Sequence, residues 1–339
     1  MADKLQSQWQ GQSSDLITEL AWSPDGSSWA ASSAAGEIVW MNLQEQPRGA
    51  VQLQAASGES IDSISFSADG GWLAASGQSG SVYLWDCAGT IPQFSQTIEV
   101  QTWTSKLIWH PTLPQLAIAY NNQIDQWDPA TAQLLSTWSA KYAIGDLAWH
   151  PIGEYLAIAS NKGVEIRSNS EVLPHQRLSL DTASLHIAWS PDGRYLAAGN
   201  FDRSLTILDL QQPTDPWTLQ GCPGKIRKLD WLGTDAQPCL LVPTGAAIVQ
   251  WSLKGSEWAG QLLEGHEGTV TTVVACGDRQ IFVSAATDNY ACLWSAAGET
   301  LQIIPSQIGE FTALAWHPAG LWLLTGTRTG AIELWHCSA

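Results

Sequence analysis

Three residues in the last third of the chain are of the types that a serine hydrolase uses. His266, Ser284 and Asp288 could supply a base, a nucleophile and an orienting carboxylate. Such an enzyme needs an exposed nucleophile, and the Gly-x-Ser-x-Gly signature of one large hydrolase fold is missing from the sequence. The three residues also fall at fixed points of a repeated unit described below. We therefore predict that they are structural and that the chain has no catalytic residue.

Three histidines, each followed by proline, raise the question of a metal site. Metal centres use several His ligands whose bonds of about 2 Å must converge on one ion. His110, His150 and His317 instead occupy the same turn in three different copies of the repeat, which separates them. We expect them to cap their turns. The sequence also lacks an EF-hand run, a P-loop and a dinucleotide fingerprint, so we predict no metal, no cofactor and no enzyme activity.

These residues belong to a phrase that recurs every 40 to 44 residues. An aromatic residue is followed by Ser or His, a tight turn and an apolar run, and the copy closes on a Gly-led segment that ends in Trp. Ala21–Gly26 with Gly36–Trp40 is one clear copy. A period of this size indicates supersecondary units that cannot bury their apolar faces alone. One position of the first strand marks eight copies: Trp22, Phe66, Trp109, Trp149, Trp189, Trp231, Ala275 and Trp316.

Each copy predicts three short strands and leaves room for a fourth. The first strand ends at the marker residue, and a turn leads to a small, apolar second strand such as Trp322–Gly326. The third strand follows, as at Ala331–Trp335, and a looser segment such as Ala50–Ala56 fits a fourth. Short strands separated by frequent turns indicate an all-β protein. The third strands carry a second tryptophan column, which predicts packing between neighbouring units: Trp40, Trp85, Trp127, Trp251, Trp294 and Trp335.

This pattern resembles the WD40 repeat over about Leu16 to Trp335. The seventh copy is the most complete, with its Gly265-His266 pair and the run that ends at Trp294. The resemblance implies a β-propeller whose seventh blade has a buried tetrad of hydrogen-bonded side chains. The low Lys content and abundant Ala, Gln and Trp favour a divergent, bacterial type of WD40 protein. The tetrad comprises His266, Ser284, Asp288 and Trp294.

The count of eight copies predicts an eight-bladed propeller of four-stranded antiparallel blades in a single domain, residues 1–339. Propellers of four to eight blades are known. The repeats occupy about residues 14–336, and the last copy ends without an outer strand. The segment Leu5–Gln10 precedes the first blade and has no blade of its own. We expect it to supply the missing strand and so remove an exposed edge.

The composition narrows the classes of partner. A net charge of −17 with only 15 Lys and Arg argues against nucleic acid, whose affinity comes from cations on phosphates. The six cysteines form no C-x-x-C pair, which favours a reducing compartment. The sequence has no apolar signal region and no stretch that could cross a membrane. We therefore expect a cytoplasmic protein that is a monomer or a subunit of a hetero-complex.

The resemblance implies a scaffold or adaptor that binds a protein or peptide on one face of the propeller. Aromatic residues and Arg are enriched at binding hot spots, so an exposed Phe201 beside Arg203 is a candidate contact. Two alternatives stay open: an enzyme or small-ligand binder using Glu19, Asp62, Asp146 and His186 in the central channel, and an obligate subunit of a larger complex. By repeat register the candidate partner-binding residues are Glu19, Asp62, Lys106, Asp146, His186, Phe201, Arg203, Arg227, Lys228 and Arg328.

Overall fold

The computed structural model describes residues 3–44, 49–100, 102–168, 176–234 and 237–338. Within these ranges 32 strands form eight four-stranded antiparallel sheets, and the helical content is one 3-10 turn at Gly277–Arg279. The fold is therefore an all-β, eight-bladed β-propeller, which confirms the prediction from the repeat. The strands divide between two compact units of four blades each, Asp3–Ala143 with Ile308–Ala339 and Ile144–Gln307.

The first unit contains blades 1, 2, 3 and 8. Its first strand is β1 (Lys4–Gln12). Blade 1 is β2 (Ile17–Trp22), β3 (Ser28–Ser33), β4 (Ile38–Asn42) and β5 (Val51–Gln54). Blade 2 is β6 (Ile61–Phe66), β7 (Trp72–Gly77), β8 (Ser81–Asp86) and β9 (Gln93–Glu99). Blade 3 is β10 (Lys106–Trp109), β11 (Leu116–Tyr120), β12 (Gln123–Asp128) and β13 (Gln133–Ser139).

The second unit contains blades 4 to 7. Blade 4 is β14 (Ile144–Trp149), β15 (Tyr155–Ser160), β16 (Gly163–Ser168) and β17 (Gln176–Ser179). Blade 5 is β18 (Ser184–Trp189), β19 (Tyr195–Asn200), β20 (Leu205–Asp209) and β21 (Trp217–Leu219). Blade 6 is β22 (Asp230–Thr234), β23 (Gln237–Thr244), β24 (Ala247–Lys254) and β25 (Glu257–Glu264). Blade 7 is β26 (Val270–Cys276), β27 (Ile281–Ala286), β28 (Tyr290–Ser295) and β29 (Thr300–Pro305).

Blade 8 joins the two ends of the chain. Its strands are β30 (Phe311–Trp316), β31 (Trp322–Thr327), β32 (Ala331–Ser338) and, outermost, β1. Leu5 lies opposite Cys337 in the antiparallel β1–β32 pairing and is only 3% exposed. The predicted closure by the N-terminal strand is confirmed, and the strand extends beyond the predicted limits of 5 and 10. The single domain over residues 1–339 stays a prediction, and its two limits lie outside the described residues.

The first tryptophan column links neighbouring blades by hydrogen bonds as well as by packing. An indole N–H at the marker position donates to a main-chain carbonyl on the first strand of the preceding blade. The acceptor is each time the residue just before that blade's own marker. This regularity explains why a bulky donor recurs there. The pairs are Trp22 with Ala315 at 3.1 Å, Trp109 with Ser65 at 3.0 Å, Trp189 with Ala148 at 3.0 Å, and Trp231 with Ala188 at 3.1 Å.

Candidate partner-binding face

Each blade has two ends, which we name by the connections they carry. The entry edge carries the connection that enters the first strand and the turn between the second and third strands. The turn edge, at the opposite end, carries the other two turns. The predicted binding residues lie on first strands, on the connections that enter them, and on turns of the entry edge.

The entry edge of blade 5 presents the aromatic side chain that the sequence singles out. Phe201 is 56% exposed, and its N–H donates to the carbonyl of Ala183 at 2.9 Å. Arg203 follows in the left-handed region with φ 72°, and its N–H donates to Asn200 at 3.1 Å. The buried Asn200 amide in turn donates to Ser204 Oγ at 2.9 Å. The turn is thus fixed by hydrogen bonds and presents an exposed aromatic residue and, two positions later, an exposed arginine.

A lysine from the next blade completes this group. The Nζ atom of Lys225 lies 5.3 Å from the ring centroid of Phe201, within the range of a cation–π contact. The connection that carries Lys225 is tied to blade 6, because Gly224 N–H donates to Thr244 Oγ1 at 2.7 Å and that hydroxyl donates to Gly224 O at 2.8 Å. Two firmly held loops therefore place Phe201, Arg203 and Lys225 in one basic–aromatic patch.

The other two predicted cations of this region differ in environment. Arg227 is exposed, whereas Lys228 is half-buried near Asp230. Burial raises the pKa of Asp230, and the charge of Lys228 opposes that rise. Asp230 accepts the N–H of Ala275 on the next blade at 2.8 Å. Lys228 therefore supports a carboxylate that joins two blades.

Two predicted acids act within the scaffold. Glu19 Oε2 accepts the main-chain N–H of Ile64 at 2.8 Å, and Asp146 Oδ2 accepts that of Ile187 at 3.1 Å. In both cases a side chain on one first strand bonds to the first strand of the following blade. These bonds satisfy main-chain donors that would otherwise be left unpaired between blades. Glu19 and Asp146 therefore have a structural role, since their side chains join neighbouring blades.

The remaining predicted residues are scattered. Asp62 is exposed and accepts the Ser60 hydroxyl at 2.5 Å. His186 Nδ1 lies 3.7 Å from Asp146 Oδ2, and its side chain is 41% exposed. Lys106 is half-buried at the start of β10, and the exposed Arg328 pairs with Glu310 at 2.7 Å. The structure does show a ring contact between Phe201 and Lys225.

Several exposed residues of the entry edges are absent from the sequence prediction. Lys225 stands in the basic run that includes Arg227 and Lys228, and that run is the signal that could have revealed it. Trp103 is 58% exposed on the connection into blade 3 and belongs to neither tryptophan column. Tyr142, whose ring lies 5.2 Å from Lys141 Nζ, enters blade 4. For Trp103, the sign available in the sequence was its position outside the repeat register.

The four predicted tetrad residues form a continuous hydrogen-bonded chain inside blade 7. His266 Nδ1 lies 3.0 Å from Asp288 Oδ2, and its Nε2 lies 2.8 Å from Ser284 Oγ. The indole N–H of Trp294 donates to the same Ser284 Oγ at 2.8 Å. Burial raises the pKa of Asp288, but main-chain N–H groups and His266 outweigh it and the net pKa is lowered. Ser284 is fully buried, so this geometry leaves no accessible nucleophile.

The histidine turns are occupied by structural contacts too. His110 Nδ1 accepts the N–H of Leu113 at 3.1 Å, and His317 Nδ1 accepts that of Ala319 at 3.0 Å. In the described part of the chain no three His, Cys, Asp or Glu side chains are arranged to hold a metal ion. The six cysteines all lie in the described ranges, and none of them is in a disulfide. Among the described residues no helix is long and apolar enough to cross a membrane.

Comparison with known proteins agrees with the fold. The family model "WD domain, G-beta repeat" (WD40) matches residues 51–86, 178–209, 259–295 and 298–336. Each segment begins in the outer strand of one blade, or two residues before it, and ends in the third strand of the next blade. The fold and these matches support a β-propeller of WD40 type.

Particular relatives resemble parts of the chain. Pre-mRNA-processing factor 19 of Oryza sativa subsp. japonica is 28% identical over 146 residues, which are 41% of this chain and 27% of that protein. Pre-mRNA-processing factor 19 homolog 2 of Arabidopsis thaliana is 27% identical over 143 residues, again 41% and 27%. The chain thus spans about a quarter of the length of these relatives. Because both are plant proteins, they do not support the predicted bacterial type.

A solved structure resembles nearly the whole chain. The crystal structure of the Chaetomium thermophilum Sqt1 superimposes with a TM-score of 0.82 at 15% identity and covers 95% of each chain. At that identity the likeness concerns the fold alone.

Proposed function

We propose that this chain is a non-catalytic scaffold that binds a protein or peptide partner through the entry edges of its blades. The observation that supports this most is the basic–aromatic patch of Phe201, Arg203 and Lys225, which is exposed and held by two rigid loops. Loops that are already ordered lose little entropy on binding. Aromatic and Arg side chains of this kind dominate the energy of protein interfaces.

The channel alternative has weaker support. A catalytic or small-ligand site needs convergent ionisable groups with free functional atoms. In Glu19 and in Asp146, one carboxylate oxygen already accepts a hydrogen bond from a main-chain N–H group of the following blade. We therefore propose a binding role for the chain and no reaction.

One observation favours a second candidate, a subunit of a larger complex. Exposed apolar side chains lie on outermost strands, including Phe94 on β9 at 58% exposure and Leu134 and Leu135 on β13. Exposed apolar side chains on an outer strand can become part of a protein interface. The cytoplasmic location and the oligomeric state remain predictions from the sequence.

Affinity purification with matched variants tests the proposed face. Phe201→Ala/Arg203→Ala/Lys225→Ala removes the basic–aromatic patch, and we expect the protein that co-purifies with the wild type to be lost. The control Ile152→Ala/Lys254→Ala/Arg279→Ala changes one exposed apolar residue and two cations at the turn edge of the same unit. It should retain the partner. Equal recovery with both variants would reject this face as the binding surface.

A further inference from the structure

Positive charge is concentrated at the entry edge of blades 5 and 6. The chain has 15 Lys and Arg against 32 Asp and Glu. Four of those cations lie in two short segments that the structure describes in full, namely the turn between β19 and β20 and the connection that leads from β21 into β22. They are Arg203, Lys225, Arg227 and Lys228. A local group of cations on so acidic a chain indicates a surface suited to an anionic partner.

The three exposed cations of this group have no carboxylate partner. Arg203, Lys225 and Arg227 are all exposed. In the described part of the chain no Asp or Glu forms an ion pair with any of them, although acids outnumber cations about two to one in the sequence. Elsewhere an exposed arginine does find such a partner, as Arg328 pairs with Glu310 at 2.7 Å. The three side chains can therefore pair with carboxylates of another molecule.

The acids of this region are engaged elsewhere or lie apart from the three cations. Asp202 Oδ1 accepts the N–H of Ser204 at 3.0 Å and the hydroxyl of the same residue at 2.6 Å. Asp230 Oδ2 accepts the N–H of Ala275 on blade 7 at 2.8 Å. Asp181 is exposed on the connection into blade 5 and forms an ion pair with none of the three cations. No described acid of blades 5 and 6 therefore neutralises these cations by direct contact.

Two of the cations are spaced like alternate residues of a strand. Ile226 is buried and forms an antiparallel bridge with Thr244 of β23, whereas Lys225 and Arg227 on either side of it are exposed. In an extended chain such flanking residues project to the same side, about 7 Å apart. The Nζ atom of Lys225 lies 5.3 Å from the ring centroid of Phe201, so an exposed aromatic ring adjoins this pair. The spacing matches that of alternate side chains in an extended peptide.

We propose that the basic–aromatic patch together with Arg227 binds an extended acidic segment of the partner, a proposal that rests on the binding role given above for the same face. Carboxylates at alternate positions of the segment pair with Lys225 and Arg227, and Arg203 adds a third cation. Phe201 offers an apolar contact to the same segment. Because the chain has a net charge of −17, it repels an acidic segment as a whole, and local cations steer that segment to this patch.

Titration of the full chain by two-dimensional NMR tests the acidic segment. The probe is N-acetyl-Ala-Glu-Ala-Glu-Ala-amide, and the same peptide with Gln in place of Glu is the uncharged control of nearly equal shape. With the acidic peptide we expect saturable shifts of the amide signals of residues 201–203 and 224–228. The Gln peptide should bind at least about fivefold more weakly, because it forms no ion pairs with the exposed cations. Added salt should weaken the binding of the acidic peptide alone.

Two variants locate the binding. Arg203→Gln/Lys225→Gln/Arg227→Gln changes only exposed side chains, so it should fold, and it should bind the acidic peptide no better than the Gln peptide. Lys254→Gln, an exposed lysine at the turn edge of blade 6, should bind like the wild type.

Three results would each overturn the acidic segment as the ligand: equal binding of the two peptides, shifts that survive the triple Gln variant, or tighter binding of a phosphoserine peptide of equal charge. If the co-purifying protein is still lost with Phe201→Ala/Arg203→Ala/Lys225→Ala, any of these results leaves the proposed function standing. Retention of that protein by the same alanine variant would instead reject the proposed function itself.

Discussion

Replacing Ser284 by alanine isolates what the blade 7 tetrad contributes to stability. The two side chains have nearly the same volume, so the change opens no cavity. It removes the hydroxyl that lies between His266 Nε2 and Trp294 Nε1, each 2.8 Å away. Both nitrogens then lie in a buried site without that partner.

The expected cost follows from those two groups. A buried polar group left without a partner costs about 1–3 kcal/mol. Two such groups, allowing for partial relaxation, give an expected loss of about 2–4 kcal/mol in the free energy of unfolding. Chemical denaturation followed by tryptophan fluorescence measures this loss as a lower midpoint at an unchanged slope.

Blade 1 offers a matched control. Ser32 occupies the corresponding place on β3, but its hydroxyl bonds to Thr18 Oγ1 at 2.8 Å. The indole Nε1 of Trp40 in the same blade has no partner in the described part of the chain. Ser32→Ala should therefore cost about 1 kcal/mol. If Ser284→Ala costs no more than Ser32→Ala, the tetrad does not stabilise the blade as we argue.

Three further perturbations follow from the structure. Leu5→Ala should lower the free energy of unfolding by about 2–5 kcal/mol, since the side chain is buried in the closing strand, and thermal unfolding would reveal it. Trp231→Phe removes the hydrogen bond to Ala188 and should lower the free energy of unfolding, measured by denaturant titration, by about 1–2 kcal/mol. An unchanged free energy of unfolding would mean that this hydrogen bond does not contribute to stability. Ser67 and Gly71 lower the pKa of Asp69, so its stabilising contribution is lost as the pH falls through the folded-state pKa. The Tm of Asp69→Asn should therefore fall less than that of the wild type between about pH 5 and about pH 3, and parallel curves would contradict this.

The fold could be predicted from the repeat because each copy specifies the same local structure. A marker aromatic, a turn and two apolar strands recur with one spacing, and Leu5–Gln10 was the segment left to pair with the last blade. Local pattern and global closure agree, which is the condition for reading a fold from a single sequence.

The site was less predictable because it depends on contacts between blades. In the sequence, Glu19 and Asp146 cannot be told apart from ordinary surface acids. Their bonds to main-chain N–H groups of the next blade depend on how the sheets are placed. Lys225 approaches Phe201 across a blade junction that repeat register does not describe.

Site-specific photo-crosslinking tests the central claim that the entry edge binds a partner. A photoreactive phenylalanine at position 201, introduced into the tagged protein in its native cell, places the reactive group in the basic–aromatic patch. We expect a discrete crosslinked product at position 201 and none from the same residue placed at position 152 of the turn edge. Crosslinks of equal yield at both positions, or a product at 152 alone, would contradict this account.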